Sequence, residues 1–291
     1  MSIHPLALVS PTTRIGPSVS IGPFCLIESD VTIGAGCILE QGVVIKEGTM
    51  LGENNHVFEG VVLGGPPQHV HMPPRPGRVI IGSGNTIREN VTVHRALETG
   101  HATVIGDSNL LMVNAHVAHD CRLGDHTILT NNVMLAGHVV VEDRAYLSGA
   151  AGVHQFCRVG SLAMVGGQAH INKDVPPFVT VDGLSSYVVG LNQIGLRRAG
   201  YDLEMIRQLK AAYRMIYRSG LSWAEILERL REEYGHGPAA HFYEFLSTTV
   251  RGIVPERRPP AGATIQLRRH AEIAVEADSG ESLHEFRAKA G

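Results

Sequence analysis

The chain has 291 residues, of which 44% are hydrophobic and 18% charged, with a net charge of -3. That composition excludes chain-wide disorder, and the near-neutral charge gives no electrostatic case for nucleic acid as a partner. No apolar run reaches the roughly 18 residues of a membrane span, so no integral membrane segment is expected.

The opening residues, Met1 to Pro5, carry no basic region followed by an apolar stretch, and a cytoplasmic protein is expected. Glycine is enriched, 33 of 291 residues, against a usual share of about 7%. From Val9 onward an aliphatic residue recurs every six positions, and 25 of the 28 positions from 9 to 171 in that phase are Ile, Leu or Val. A random placement at 44% would give about 12. The three exceptions are His69, Arg75 and Thr99, and they fall in stretches that read as inserted loops, near 66–78 and 97–103. Cys25, Cys37, Cys121 and Cys157 form no CxxC pair and sit inside the apolar pattern, as reduced, buried thiols would.

A six-residue period is too short for a helix-loop unit and does not match a heptad. It suits a two-residue strand followed by a bend, and three such sides close a triangular coil of 18 residues. The aliphatic residue of each side then points into a prism, stacked on its counterparts one coil above and below. The expected fold class is mainly β, a parallel β-helix over residues 1–190. A small α-helical domain is expected over 191–254, and a mobile tail over 255–291, in which 269–288 is the one stretch with the pattern of a loose helix. The helical signals are apolar positions at a 3.6-residue period after Asp202, a stop at Gly220, a capping box at Ser222 to Glu225 opening a helix through Tyr234, and a third helix over 242–250.

Polar residues interrupt the ladder at Asn114 to Cys121. An 18-residue coil places His119, Gly137 and Gln155 in one column, with Asp120 beside His138 and with His116 and His154 adjoining. Imidazoles and a carboxylate converging over three coils are the material of general acid–base chemistry.

The hexads resemble those of the hexapeptide-repeat acyltransferases, whose prism is left-handed. The segments Asn114 to Cys121, Leu135 to His138, Val153 to Cys157, Met164 to Gly167, Asp174 to Pro177, Gly195 to Arg198 and Ile216 to Gly220 resemble the acyl-(acyl-carrier-protein)–UDP-N-acetylglucosamine O-acyltransferases over residues 5 to 254. That resemblance implies transfer of a 3-hydroxyacyl group from acyl carrier protein to the sugar 3-hydroxyl, the first step of lipid A biosynthesis. It implies His119 as general base, Asp120 as its orienting carboxylate and the Gly137 amide as oxyanion donor. It also implies substrate contacts at His116, His138, His154, Gln155, Gln68, His69 and His71, an acyl-length limit at Gly167, and contacts from Asn192 and Arg198. The same resemblance implies a homotrimer with sites between subunits, no metal, and no cofactor beyond the phosphopantetheine that carries the acyl group.

The chain departs from that family's pattern in four places. His69 and His71 stand where an Asp and a Lys are usual, Ala199 where a second Arg is usual, and Ser185 where a His often caps the acyl groove. A 3-amino UDP-sugar acceptor and acetyl-CoA as donor stay open on these grounds. Two rival readings come from the residues themselves: a zinc enzyme of the carbonic-anhydrase kind on the same prism, and a non-catalytic scaffold binding acyl carrier protein through Arg207, Lys210, Arg214 and Arg218.

Overall fold

The computed structural model describes residues 1–257; the expected tail from 258 onward, with the helix considered for 269–288, lies outside the described residues. Short parallel strands, most of two residues, stack into three sheets of 11, 9 and 8 strands, here faces A, B and C. Register follows the 18-residue coil: Ser20 pairs with Ile38 on face A, Leu26 with Val44 on B and Arg14 with Thr32 on C. The inward ladder is buried almost without exception, as at Ile27, Ile45, Leu63, Val93, Val117, Leu135 and Val153. This makes the left-handed β-helix of the hexapeptide-repeat transferases, its interior filled mainly by stacked aliphatic side chains from the three faces.

Most corners from Ser18 onward turn through a residue in the left-handed region. Glycine supplies it at Gly36, Gly42 and Gly48, but eighteen non-glycine residues also adopt positive φ, among them Asp120 (60°), His138 (61°) and Phe156 (64°). A bulky side chain held there costs on the order of 1 kcal/mol or more, so its identity at such a corner carries information.

The two insertions fall where the ladder failed. Leu63 pairs with Val93, 30 residues on, and Val79 with Thr103, 24 residues on. The first coil therefore carries twelve extra residues and the second six. One boundary moves: Thr103, assigned above to the second loop, lies in the strand Ala102–Ile105 and is fully buried.

Beyond the prism come four helices: α1 (Gln193–Arg198), α2 (Leu203–Arg218), α3 (Trp223–Glu233) and α4 (Ala240–Leu246). Asp202 caps α2 and the Ser222–Glu225 capping box opens α3, as expected. The third expected helix is shorter than 242–250, and α1, capped by Asn192, was not foreseen because six residues give too little periodicity to detect. The helices bury Leu196, Ile206, Leu209, Ile226, Leu230, Phe242 and Phe245 together with Leu162 and Phe178 from the coils. Residues 255–257, placed above in the tail, are instead tied down. The Val188 amide donates to the Pro255 carbonyl at 2.9 Å, and Glu256 accepts from Tyr213 at 2.6 Å and from Arg218.

Candidate active site

His119 and Asp120 form one corner between faces B and C, the strands on either side being His116–Val117 and Arg122–Leu123. His116 lies on the strand before the bend and His119 in the bend itself, so the two do not alternate along one strand. One coil on, the same corner holds Gly137 and His138, and the His138 amide donates to the His119 carbonyl at 3.0 Å. One coil further it holds Gln155 and Phe156, and the Phe156 amide donates to the Gly137 carbonyl at 3.2 Å. The expected column is thereby present.

Within it, His119 Nδ1 donates to Asp120 Oδ2 at 2.8 Å, and the two side chains are only 10% and 9% exposed. An ionised carboxylate can only accept, so this bond fixes the tautomer with Nε2 free of a proton. The ring then lies against Gly137, where an added Cβ would sit 2.5 Å from His119 Cε1 and 2.6 Å from Nε2. Glycine is required at 137 by that close approach. Its N–H donates to no acceptor among the described residues.

Other imidazoles crowd the pair. His138 packs edge-on to His119 with ring centroids 5.1 Å apart, and its Nε2 is 3.8 Å from Asp120 Oδ2. Burial pushes the pKa of His138 down while Asp120 pulls it up. His69, from the first insertion, stands perpendicular to His119 at 5.7 Å, and His71 is 6.1 Å from His69. His116 shares a 2.7 Å hydrogen bond with Thr92 Oγ1, and burial lowers its pKa.

Two contributors were missed from the sequence. Phe156 stacks on His138 at 4.5 Å and 11°, and its signal was available at the next position of the 120/138 column. His94 packs perpendicular to His116 at 4.9 Å; burial, with His116 and His119 nearby, pushes its pKa down to about 4, so it is neutral.

Not every expected residue joins this cluster. His154 and Gln155 are exposed, with His154 Nδ1 3.2 Å from the Gln155 carbonyl, and Gln68 is exposed on its loop. Gly167 lies at the corner between faces A and B, against the Gly149 carbonyl. Asn192 and Arg198 line a groove of about 580 Å³ over face A with Arg144, Tyr146 and Ala199. In that groove the Asn192 amide is already engaged, capping α1 at the Gly195 N–H and donating to the Leu162 carbonyl.

His119, Asp120 and His138 each offer one ligand atom within 4.8 Å of the others, a geometry open to a metal ion. A metal taking His119 Nδ1 would displace the hydrogen bond to Asp120.

Comparison with known proteins identifies the family. A family model described as "Udp N-acetylglucosamine O-acyltransferase; Domain 2" matches residues 174–254, and one described as "Bacterial transferase hexapeptide (six repeats)" matches 12–47 and 102–137. The acyl-(acyl-carrier-protein)–UDP-N-acetylglucosamine O-acyltransferase of Halorhodospira halophila is 45% identical over 254 residues, 87% of this chain and 98% of the relative. The chain belongs to the UDP-N-acetylglucosamine O-acyltransferase family. An O-acyltransferase of the same description from Anaeromyxobacter dehalogenans is 47% identical over 255 residues, 87% of this chain and 99% of the relative. The solved acyltransferase structures agree: LpxA from Acinetobacter baumannii is 39% identical with a TM-score of 0.84, covering 87% of this chain and 100% of that one. The UDP-N-acetylglucosamine acyltransferase of Francisella novicida is 36% identical with a TM-score of 0.85, covering 87% and 94%. As a member of this family the chain is an acyltransferase.

Proposed function

We propose that this chain transfers a 3-hydroxyacyl group from acyl carrier protein to the 3-hydroxyl of UDP-N-acetylglucosamine, the first step of lipid A biosynthesis, acting in the cytoplasm. The observation that carries the mechanism is the His119–Asp120 pair seated against Gly137. The sugar hydroxyl oxygen attacks the thioester carbonyl carbon while His119 Nε2 takes its proton. The carbonyl oxygen gains the negative charge and accepts from the Gly137 amide. Collapse re-forms the carbonyl, breaks the carbon–sulfur bond, and the imidazolium returns the proton to the departing thiolate. Asp120 steadies the imidazolium and holds the ring. No separate cofactor and no metal enters these steps.

In this reading His69, His71 and Gln68 contact the sugar nucleotide, and His116, His138, His154 and Gln155 hold the sugar nucleotide or the pantetheine arm. Gly167, without a side chain, leaves room for a longer acyl chain. Asn192 and Arg198 lie on another face of the prism from His119, which supports a homotrimer in which a neighbouring subunit supplies them; a guanidinium there suits phosphate.

His119→Ala is expected to lower kcat by about two orders of magnitude or more, in keeping with loss of a general base, with the oligomer still folded by circular dichroism. An acyl-transfer assay with UDP-N-acetylglucosamine and its 3-amino analogue, using carrier proteins loaded with different chain lengths and acetyl-CoA as an alternative donor, identifies donor and acceptor together. The metal-capable His119–Asp120–His138 group supports a second reading, a zinc hydratase. Stoichiometric zinc with activity abolished by chelation would replace the acyl-transfer reading.

A further inference from the structure

We propose that Thr103 is a positioning residue for the acyl transfer: its hydroxyl, together with the Leu97 amide, holds Asp120 in the one orientation that aligns His119. The inference rests on the reading of His119 and Asp120 as the catalytic pair.

At successive corners the residue in the left-handed conformation donates its amide to the first turn residue of the coil before. His138 does so to His119 at 3.0 Å and Phe156 to Gly137 at 3.2 Å, and Asn114 and Asn132 follow the same pattern at a neighbouring corner, to Glu89 and Val113. Asp120 does not. The coil before it is the one that carries the second insertion, and residues 95–101 leave the prism at the corner directly beneath the His119–Asp120 turn. No backbone carbonyl takes the Asp120 amide, and Thr103 Oγ1 accepts it instead at 2.8 Å.

The position of Thr103 makes that hydroxyl conspicuous. It is fully buried at the interior corner phase that Val91, Ala115, Val133 and Val139 occupy elsewhere, two residues before an inward aliphatic. Valine has the same shape as threonine, so packing alone does not ask for an oxygen there. The side chain of Asp120 is fixed from the same insertion: Leu97 N–H donates to Oδ2 at 3.0 Å, on the oxygen that receives His119 Nδ1. Backbone and carboxylate are thus both held from the irregular coil. Asp120 turns the corner at a φ of 60°, in the left-handed region that aspartate adopts more readily than most side chains.

The test uses the full chain with Thr103→Val and Thr103→Ser, each measured for kcat, for KM toward both substrates and for melting temperature. The expected result is a fall of about ten-fold or more in kcat for Thr103→Val, with each KM within about two-fold, and recovery to within about three-fold of the parent in Thr103→Ser. In an Asp120→Asn background the Thr103→Val change is expected to add less than about two-fold, because the group it positions has already been removed. An unchanged kcat in Thr103→Val, a loss confined to KM, or full additivity with Asp120→Asn overturns the proposal. If Thr103→Val does not fold, Thr103→Ser against Thr103→Ala gives the same hydroxyl comparison with less bulk. Retained activity in His119→Ala overturns the catalytic-pair reading and this proposal with it, whereas loss in His119→Ala beside an unaffected Thr103→Val overturns this proposal alone.

Discussion

A histidine's environment decides which proton state it contributes, and two histidines of this chain, His241 half-buried and His94 buried, lie on opposite sides of the ordinary value. His241, on α4, sits between Glu142 of the prism at 2.7 Å and Glu244 at 3.0 Å, and its hydrogen bond to the Glu142 carboxylate leads in raising its pKa to about 9. The stabilisation from that ion pair is fully present below the unfolded value of 6.5, while Glu142 stays ionised, and is lost as pH rises through about 9. Melting temperatures of the parent and His241→Gln should therefore differ most just below pH 6.5 and converge above about pH 9. His94 acts with the other sign. Burial holds it neutral down to about pH 4, so it favours the unfolded chain progressively as pH falls from 6.5 toward that value.

At the scale of elements, the prism interior is not purely aliphatic. At the corner between faces C and A, Asn55, Asn85, Asn109 and Thr127 stack on successive coils. Asn55 Oδ1 accepts from both the backbone and side-chain nitrogens of Asn85 at 2.9 Å, and Asn85 Oδ1 accepts the Asn109 amide at 2.8 Å. Thr127 completes the ladder on Asn109 Oδ1 at 2.7 Å. Asn85→Val would leave the Asn109 amide buried without a partner and Asn55 Oδ1 with only the backbone donor of residue 85, at an expected cost of about 1–3 kcal/mol. Urea unfolding of the two proteins checks it. The insertions illustrate the same point in another way. Gly77, at the end of the first, abuts the carbonyls of Glu98 and His101 in the second, and Thr99 Oγ1 donates to the Arg75 carbonyl, so the two loops brace each other beside His119.

Across the whole molecule, a buried carboxylate is one of the junctions between the C-terminal segment and the prism. Asp174, 1% exposed, accepts from the Arg158 backbone at 2.9 Å, from Arg158 Nε at 3.0 Å and from Thr249 Oγ1 at 2.7 Å. Its amide donates to the Gly252 carbonyl, and the Arg158 guanidinium lies 4.1 Å above the Phe245 ring. Asp174→Ala removes the counter-charge of a largely buried arginine and should destabilise the chain by about 3–5 kcal/mol, read as a fall in denaturation midpoint.

The six-residue spacing by itself determined the prism, the inward ladder from Val9 to Ile171, and the columns that put His119 over Gly137 and Asp120 beside His138. It could do so because a stack of parallel coils with one fixed length turns sequence separation into spatial register. Family resemblance, not periodicity, supplied the left hand of the coil. Only the tertiary structure decided what the insertions do: His69 against His119, Leu97 on Asp120, and Thr103 inside the strand as the acceptor for the Asp120 amide. Twelve and six extra residues break the register arithmetic at those coils, and a loop that leaves the prism returns to it through contacts that no period encodes.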